Sequence, residues 1–209
     1  MDIIEDYILH HIDPENELLA TLYRETHVTQ VNPRMAAGHV QGSFLTMICR
    51  MVKPRRILEL GTFTGYSALC MAQTLPDDGE LHTIEIDDEL EPFIQKYLCK
   101  SPHGQKINLH FGNSKDIVPT MKPCFDLVFL DADKRRYIED YEAVLPLVCT
   151  GGFILADNTL WGGKVVENAA IYDKQTAGIQ KFNDYIAADR RVEKTILPIR
   201  DGLTILMKK

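Results

Sequence analysis

The spacing of hydrophobic residues changes after the first quarter of the chain. Up to there, apolar residues recur three or four positions apart, for example at Ile4, Ile8 and Ile12, which is the pattern of amphipathic helices. We therefore predict two or three helices over residues 2–52, forming a helical N-terminal cap on the rest of the protein. Residues 31–38 interrupt this pattern with an Asn-Pro pair and a glycine, so we expect them to break the helix and form part of a pocket wall.

Beyond residue 54, short apolar runs typical of strands alternate with helical patterns. The predicted strands are 56–60, 81–85, 107–111, 125–130, 153–156, 192–199 and 203–207. The predicted helices begin at about residue 67, span 89–99, include a short one near residue 114, and span 137–147 and 176–188. Such alternation gives parallel strands, whereas the short turn at 200–202 joins the last two strands as a hairpin. We predict an α/β fold: a Rossmann-like three-layer sandwich with a seven-stranded, mostly parallel sheet, an antiparallel last strand and N-terminal helices.

The bulk composition narrows the class of protein. A length of 209 residues suits a single domain over residues 1–209, of which 1–52 is the helical cap. The net charge of −7 disfavours broad binding to nucleic acid or anionic membranes, although a local basic patch is still compatible with it. No signal peptide or 18-residue apolar run is found. We expect a cytoplasmic protein without membrane partners.

The five cysteines are far apart and include no C-x-x-C pair. This distribution signals neither a disulfide framework nor a zinc site. We expect all five thiols to be reduced and mostly buried.

Two of the predicted strands end abruptly in acidic and amide side chains. Asp131 and Asp133 follow the strand at 125–130, and Asp157 and Asn158 follow the next one. Because the carboxyl ends of parallel strands face one crevice, we expect these side chains to meet. Taken alone, Asp131, Asp157 and Asn158 are each as readily helix caps or turn formers. Several hard oxygen donors together favour a divalent cation: magnesium first, with manganese or calcium as alternatives.

A glycine turn follows the first strand, over residues 59–67. Glycines there let the backbone approach a ligand, and Ser67 is well placed to cap the next helix. The dinucleotide fingerprint G-x-G-x-x-G is absent, since Phe63 stands where its second glycine belongs, which counts against NAD. Glu85, at the end of the second strand, suits the two hydroxyls of a ribose. The pair of motifs indicates an adenosine-type cofactor.

Three motifs in this order resemble those of the cation-dependent O-methyltransferases. They are residues 58–67, 130–134 and 156–161, and the resemblance spans about 31–209. This family contains catechol and caffeoyl-coenzyme A O-methyltransferases and belongs to the class I S-adenosylmethionine-dependent enzymes. In this chain, Gly162 replaces an asparagine that contacts substrate in plant caffeoyl-coenzyme A enzymes, so the resemblance does not imply plant-like substrate choice.

The resemblance also assigns roles to individual residues. It implies an S-adenosylmethionine site formed by Ala37, Glu59, Gly61, Thr62, Ser67, Glu85, Ser114 and Asp133. It implies metal ligands at Asp131, Asp157 and Asn158, and a catalytic lysine at Lys134 that acts together with Asp131. Trp161 either presses on an aromatic substrate or seals the core or a subunit contact.

The leading hypothesis is a divalent-metal-dependent O-methyltransferase that moves a methyl group from S-adenosylmethionine to a hydroxyl of a catechol-like or caffeoyl-type small molecule, with a homodimer as the expected assembly. The nearest alternative is a tRNA wobble 5-hydroxyuridine O-methyltransferase, which requires a basic rim. The candidates for that rim are Arg34, Lys53, Arg55, Arg56, Arg135 and Arg136. A non-catalytic cofactor-binding protein and an NAD-dependent oxidoreductase are further alternatives, disfavoured by Lys134 and by the missing fingerprint.

Overall fold

A computed structural model describes residues 3–209, and the two residues with which the predicted domain and cap begin lie outside it. Three helices precede the sheet, as predicted: α1 (Ile3–His11), α2 (Glu17–Thr29) and α3 (Gly38–Val52). The predicted break is confirmed as an irregular segment with one short 3₁₀ turn at Pro33–Met35. Across residues 3–209, every helix is too short or too polar to cross a membrane.

The remaining elements alternate as the sequence predicts. The strands are β1 (Arg56–Leu60), β2 (Glu80–Glu85), β3 (Ile107–Phe111), β4 (Phe125–Leu130), β5 (Val148–Asp157), β6 (Val192–Leu197) and β7 (Leu203–Lys208). The helices are α4 (Tyr66–Ala72), α5 (Glu91–Lys100), α6 (Ser114–Ile117), α7 (Tyr137–Val144) and α8 (Lys174–Ala188). The seven strands lie in the order β3-β2-β1-β4-β5-β7-β6, with β7 antiparallel to both neighbours. The predicted seven-stranded sheet with an antiparallel last strand is confirmed.

Alternate residues of each central strand enter two different cores. Ile57 and Leu127 pack with α2 to α5 on one face, and Leu58 and Val128 pack with α7 and α8 on the other. Continuous apolar strands such as β4 follow from this burial on both faces. The strand order reverses between β1 and β4, which are direct neighbours although two strands separate them in sequence. The crevice at such a switch point is where open α/β sheets bind ligands.

Two strand ends differ from the prediction by more than one residue. β5 begins at Val148, five residues earlier than expected, because Val148 pairs with Phe125 before an irregularity in the ladder. The glycine pair at 151–152 resembles a turn in the sequence, yet it lies within the strand. β6 ends at Leu197, immediately before a proline, because proline has no N–H to donate to the sheet.

The expectation of five reduced cysteines is wrong for one pair. Cys124 and Cys149 form a disulfide with a Cα–Cα distance of 5.0 Å. The two residues stand at the beginnings of β4 and β5, where Phe125 is paired with Val148. Their separation along the chain does not reveal this proximity. The other three thiols are free, with Cys49 and Cys70 buried and Cys99 exposed.

The switch point depends on the absence of a side chain at Gly61. This residue has φ of +99°, and a Cβ built on it would overlap the backbone carbonyl of Asp131 on the neighbouring strand. The backbone hydrogen bonds Gly61 N to Ile84 O (3.0 Å) and Asp131 N to Leu60 O (2.9 Å) hold this approach in place. A larger residue must therefore push apart the strand ends that form the crevice.

We predict that Gly61→Ala lowers the free energy of unfolding by about 2–4 kcal/mol, combining backbone strain with overpacking. Gly151→Ala is the matched control, because Gly151 also has a positive φ of +80° but has no neighbour within 4 Å of the added Cβ. Urea denaturation of both variants measures the difference. Equal destabilisation by the two substitutions would contradict the close approach at Gly61.

Candidate active site

One cavity of about 1130 Å³ opens at the carboxyl ends of β1, β2, β4 and β5. Residues 32–37, between α2 and α3, form one of its walls, as the break in the helical pattern predicts. Most of the residues predicted for the site line this cavity. They are Ala37, Gly61, Thr62, Ser67, Glu85, Ser114, Asp131, Asp133, Lys134, Asp157 and Asn158. Glu59 is the exception, since it is fully buried behind the wall.

The glycine turn is held by the acidic residue at the end of β2. Glu85 accepts a hydrogen bond from Phe63 N (2.6 Å) with one oxygen, and from Ile86 N (2.9 Å) and the next amide with the other. The predicted capping role of Ser67 is wrong: α4 begins after Gly65, which adopts a left-handed conformation and leaves Ser67 inside the helix. A glycine at that position takes φ of +84° without the penalty that a side chain would bring.

A chain of hydroxyl groups connects the cavity wall to Glu59. Thr83 Oγ1 donates to Glu59 Oε2 at 2.6 Å, so the 2.5 Å contact between Thr62 and Thr83 must have Thr62 as the donor. The other oxygen, Glu59 Oε1, accepts no hydrogen bond from the described residues. Burial raises the pKa of Glu59 to about 8, although the neighbouring Ser67 and Thr83 hydroxyls partly offset this effect.

The acidic end of the cavity unites residues from two strand ends. Asp157 is 4% exposed, with Oδ2 accepting from Gln41 Nε2 (2.7 Å) and Oδ1 from the backbone N–H of Asn158 (2.8 Å). Burial, followed by repulsion from Asp131, raises the pKa of Asp157 to about 6, against the opposing effect of Lys134. Asn158 has φ of +57°, a conformation that asparagine tolerates better than most residues.

Lys134 lies between Asp131 and a buried tyrosine. Its Nζ atom donates to Asp131 Oδ1 at 2.6 Å and to the hydroxyl of Tyr137 at 2.6 Å, and the lysine is only 6% exposed. The Tyr137 hydroxyl also lies 2.9 Å from Asp157 O and 3.1 Å from Leu130 O. Tyr137 thus connects the ends of β4 and β5 with the ammonium group.

The donor set suits a hard divalent cation. Asp131 and Asp157 supply carboxylate oxygens and Asn158 an amide oxygen, and all three line the cavity. Asp131 Oδ2 and the Asn158 amide accept no hydrogen bond from residues 3–209, which leaves both available as ligands. Within the described chain, three His, Cys, Asp or Glu side chains do not converge anywhere, so a cation here needs the amide as its third protein ligand. Magnesium keeps several waters and accepts such a sparse set.

The role of helix cap, which was the alternative for Asp131 and Asp157, belongs to Asp133. Asp133 accepts from the backbone of Arg135 (3.1 Å) and caps the 3₁₀ turn that follows, and the Arg135 guanidinium lowers the pKa of Asp133. Asp131 and Asp157 accept no hydrogen bond from a helix terminus. Ser114 lines the cavity but donates its hydroxyl to Asp140 at 2.7 Å.

The basic residues considered for a nucleic-acid rim divide between two ends of the sheet. Arg34, Arg135 and Arg136 line the cavity. Lys53, Arg55 and Arg56 lie at the beginning of β1, which is the opposite end of the sheet. Arg135 is paired with Asp133, so the rim at the cavity is less basic than the sequence predicts.

Three contributors to the site have no signal in the sequence motifs. Gln41 on α3 reaches Asp157 across 116 positions of sequence. Arg200, in the turn between β6 and β7, reaches Gln41 in turn (2.5 Å), and Tyr137 supports Lys134. Trp161 lines the cavity and also packs against the core of α7 and α8, so both of its expected roles are compatible with its position.

Comparisons with known proteins show what this chain is similar to. The model of the O-methyltransferase family matches residues 10–209. The chain is 35% identical to the caffeoyl-CoA O-methyltransferase of Petroselinum crispum (82% of this chain, 76% of the relative). It is 32% identical to the catechol O-methyltransferase of Niastella koreensis (85% of this chain, 84% of the relative). A crystal structure of the O-methyltransferase TomG from Streptomyces achromogenes in complex with SAM is 28% identical, has a TM-score of 0.90, and covers 99% of this chain and 96% of its own.

We predict that Glu59→Gln stabilises the protein relative to wild type increasingly as pH rises from about 4.5 to 8. In this window the unfolded glutamate is ionised while the buried one keeps its proton, so wild-type stability falls with pH by an amount on the order of a few kcal/mol. Glutamine cannot ionise and escapes this loss. Urea denaturation of both proteins at pH 5 and pH 8 measures the effect, and a difference that stays constant between these pH values would contradict it.

Proposed function

The chain belongs to the O-methyltransferase family, and on that premise we propose that it is a divalent-cation-dependent enzyme that methylates a hydroxyl of a catechol-like or caffeoyl-type small molecule. Members of the family are S-adenosylmethionine-dependent O-methyltransferases, and this chain is one of them. The cation dependence and the type of substrate are proposed because Asp131, Asp157 and Asn158 lie together with Lys134 at one end of the cavity.

We assign the glycine turn and the end of β2 to the cofactor. The Glu85 carboxylate holds the turn by accepting from three backbone amides, and its Oε2 atom keeps one lone pair for a ribose hydroxyl. Gly61 and Thr62 line the cavity beside this turn, and Ala37 closes it from the side of α3. Ser114 and Asp133 complete the proposed lining. Glu59 supports the wall through Thr83 instead of facing the cavity.

We assign Asp131, Asp157 and Asn158 as the ligands of the cation. When bound, S-adenosylmethionine supplies the methyl group, and the cation supplies Lewis acidity that lowers the pKa of a chelated hydroxyl. The three residues hold that acidity at a fixed point of the cavity, since both oxygens of Asp157 are already oriented by hydrogen bonds. A substrate with two adjacent hydroxyls is favoured because it binds such a centre in one orientation.

Lys134 is assigned as the base. Its Nζ atom is held by Asp131 and Tyr137 at 2.6 Å each, so the side chain has little freedom to leave the site. After the resting ammonium has released its proton to water, the same atom accepts the proton of the acceptor hydroxyl, and Asp131 stabilises the ammonium that re-forms. Asp131 therefore contributes to catalysis both as a ligand and as the partner of Lys134.

Hydrogen bonding of the cavity arginines within the chain supports a small molecule over tRNA. Arg135 is paired with Asp133, and Arg136 donates to Asn113 at 3.0 Å, so Arg34 is the remaining cavity guanidinium without a partner in the described chain. A non-catalytic role is disfavoured because Lys134 and its ligand neighbours are assembled together. Homodimeric assembly and a cytoplasmic location stay predictions.

We predict that methyl transfer from labelled S-adenosylmethionine to 3,4-dihydroxycinnamate requires magnesium and is abolished by EDTA. Asp157→Ala reduces turnover by about 100-fold or more, because it removes a ligand of the cation. Asp184→Ala, which removes an exposed carboxylate of α8, leaves turnover unchanged. Full activity in EDTA would contradict the metal dependence, and methylation of undermodified tRNA without any turnover of catechols would establish the tRNA alternative.

The role of Lys134 as the base can be tested separately from metal binding. Lys134→Met reduces kcat by about 100-fold or more while the Kd for S-adenosylmethionine, measured by calorimetry, changes little, because the lysine is assigned to proton transfer and not to cofactor binding. Lys181→Met, on the exposed side of α8, is the matched control. Wild-type kcat in Lys134→Met would exclude the lysine as the base.

A further inference from the structure

The turn between β6 and β7 is bonded to the segment that follows β5. Its carbonyl groups accept hydrogen bonds from three successive backbone amides: Thr159 N to Gly202 O (3.0 Å), then Leu160 N (2.8 Å) and Trp161 N (3.1 Å) to Asp201 O. Gly202 allows this contact, since a Cβ on it would overlap Leu160. The turn thus fixes the backbone immediately after the ligand pair formed by Asp157 and Asn158.

The same turn reaches α3 through the side chain of Arg200. One nitrogen, Nη1, donates to Gln41 Oε1 at 2.5 Å and to the carbonyl oxygen of Ala37. The amide of Gln41 is 4% exposed and donates from Nε2 to Asp157 Oδ2 at 2.7 Å. Because Oε1 accepts from a guanidinium, the amide has one favourable orientation, with its N–H groups toward Asp157.

We propose that Gln41 and Arg200 are positioning residues for the metal site, with Arg200 acting through Gln41 to orient the carboxylate of Asp157. This inference rests on the proposed function, because it presumes that Asp157 binds a cation. The fit of the site to a cation depends on oxygens that are held in place, and hydrogen-bond partners of ligating carboxylates tune metal affinity in proteins. Among the proposed cofactor residues, the side chains of Gln41 and Arg200 have one hydrogen bond in the described chain, from Arg200 to the backbone carbonyl of Ala37.

Two hydrogen bonds orient the carboxylate of Asp157. Oδ1 of Asp157 is held by the amide of Asn158, and Oδ2 by Gln41. Without Gln41, the carboxylate retains only the first bond and rotates more freely in a site that it shares with Asp131. Without Arg200, the Gln41 amide is free to rotate by half a turn and direct its oxygen at Asp157, which is repulsive.

The test measures the binding of Mn²⁺ to the protein. Binding is monitored as the loss of the free Mn²⁺ signal in electron paramagnetic resonance. Gln41→Met, which keeps the length of the side chain without its hydrogen bonds, raises the Kd for Mn²⁺ by about 10- to 100-fold. The Kd for S-adenosylmethionine stays close to wild type. Arg200→Met weakens Mn²⁺ binding in wild type, but adds little in the Gln41→Met background, because it acts through Gln41.

Gln73→Met is the matched control. Gln73 also joins α3 to a neighbouring element, donating to Thr46 at 3.0 Å and to Cys70 O at 3.1 Å, but it lies outside the cavity. We expect the Gln73→Met substitution to change Tm by about as much as Gln41→Met does, and to leave the Kd for Mn²⁺ unchanged.

Three results would overturn the proposal in different ways. Wild-type affinity for Mn²⁺ in Gln41→Met, or fully additive effects of the two substitutions, excludes the positioning role while the metal site itself stands. Wild-type protein that binds no Mn²⁺ at millimolar concentration removes the metal dependence of the proposed function and this inference with it. S-adenosylmethionine binding by the same sample shows that the protein is folded.

Discussion

Two carboxylates that share one partly buried site, Asp131 and Asp157, determine which residues must surround them. Asp131 and Asp157 come from neighbouring parallel strands, and burial together with their mutual repulsion raises the pKa of Asp157 to about 6. Such an arrangement is costly unless positive charge lies between or beside the two groups. Lys134 supplies one charge, bonded to Asp131, and a divalent cation would supply more. The two carboxylates therefore favour the binding of a divalent cation, which the proposed reaction uses.

Elements far apart in sequence converge to support this pair. The switch point between β1 and β4 creates the crevice, with Gly61 allowing the strands to approach. Tyr137, at the beginning of α7, joins the ends of β4 and β5 beneath Lys134. The N-terminal helix α3 and the C-terminal hairpin then meet over Asp157 through Gln41 and Arg200. The cofactor side of the cavity depends less on these contacts, since Glu85 holds its own turn.

Periodic burial and strand-end chemistry made the fold and much of the site predictable. The central strands β1 and β4 are buried on both faces, whereas β3, at the edge of the sheet, alternates apolar and polar residues; all three have the predicted bounds. The acidic residues after β4 and β5 were predictable because parallel strand ends face one crevice. Strand register is not encoded locally, however. The early start of β5 and the disulfide between Cys124 and Cys149 both follow from the pairing of Phe125 with Val148.

Side-chain contacts between distant elements could not be predicted from the sequence either, because they depend on how those elements are placed in the fold. Gln41 and Arg200 are ordinary helix and turn residues until α3 and the hairpin are placed together. Conversely, Ser67 is a good capping residue by composition, but a glycine with a positive φ begins the helix. Anomalous diffraction from crystals grown with Mn²⁺ and S-adenosylhomocysteine would show whether a cation binds at the carboxylate pair. We predict one anomalous peak coordinated by Asp131, Asp157 and Asn158; cofactor density in the cavity with no peak at these residues would rule the cation site out.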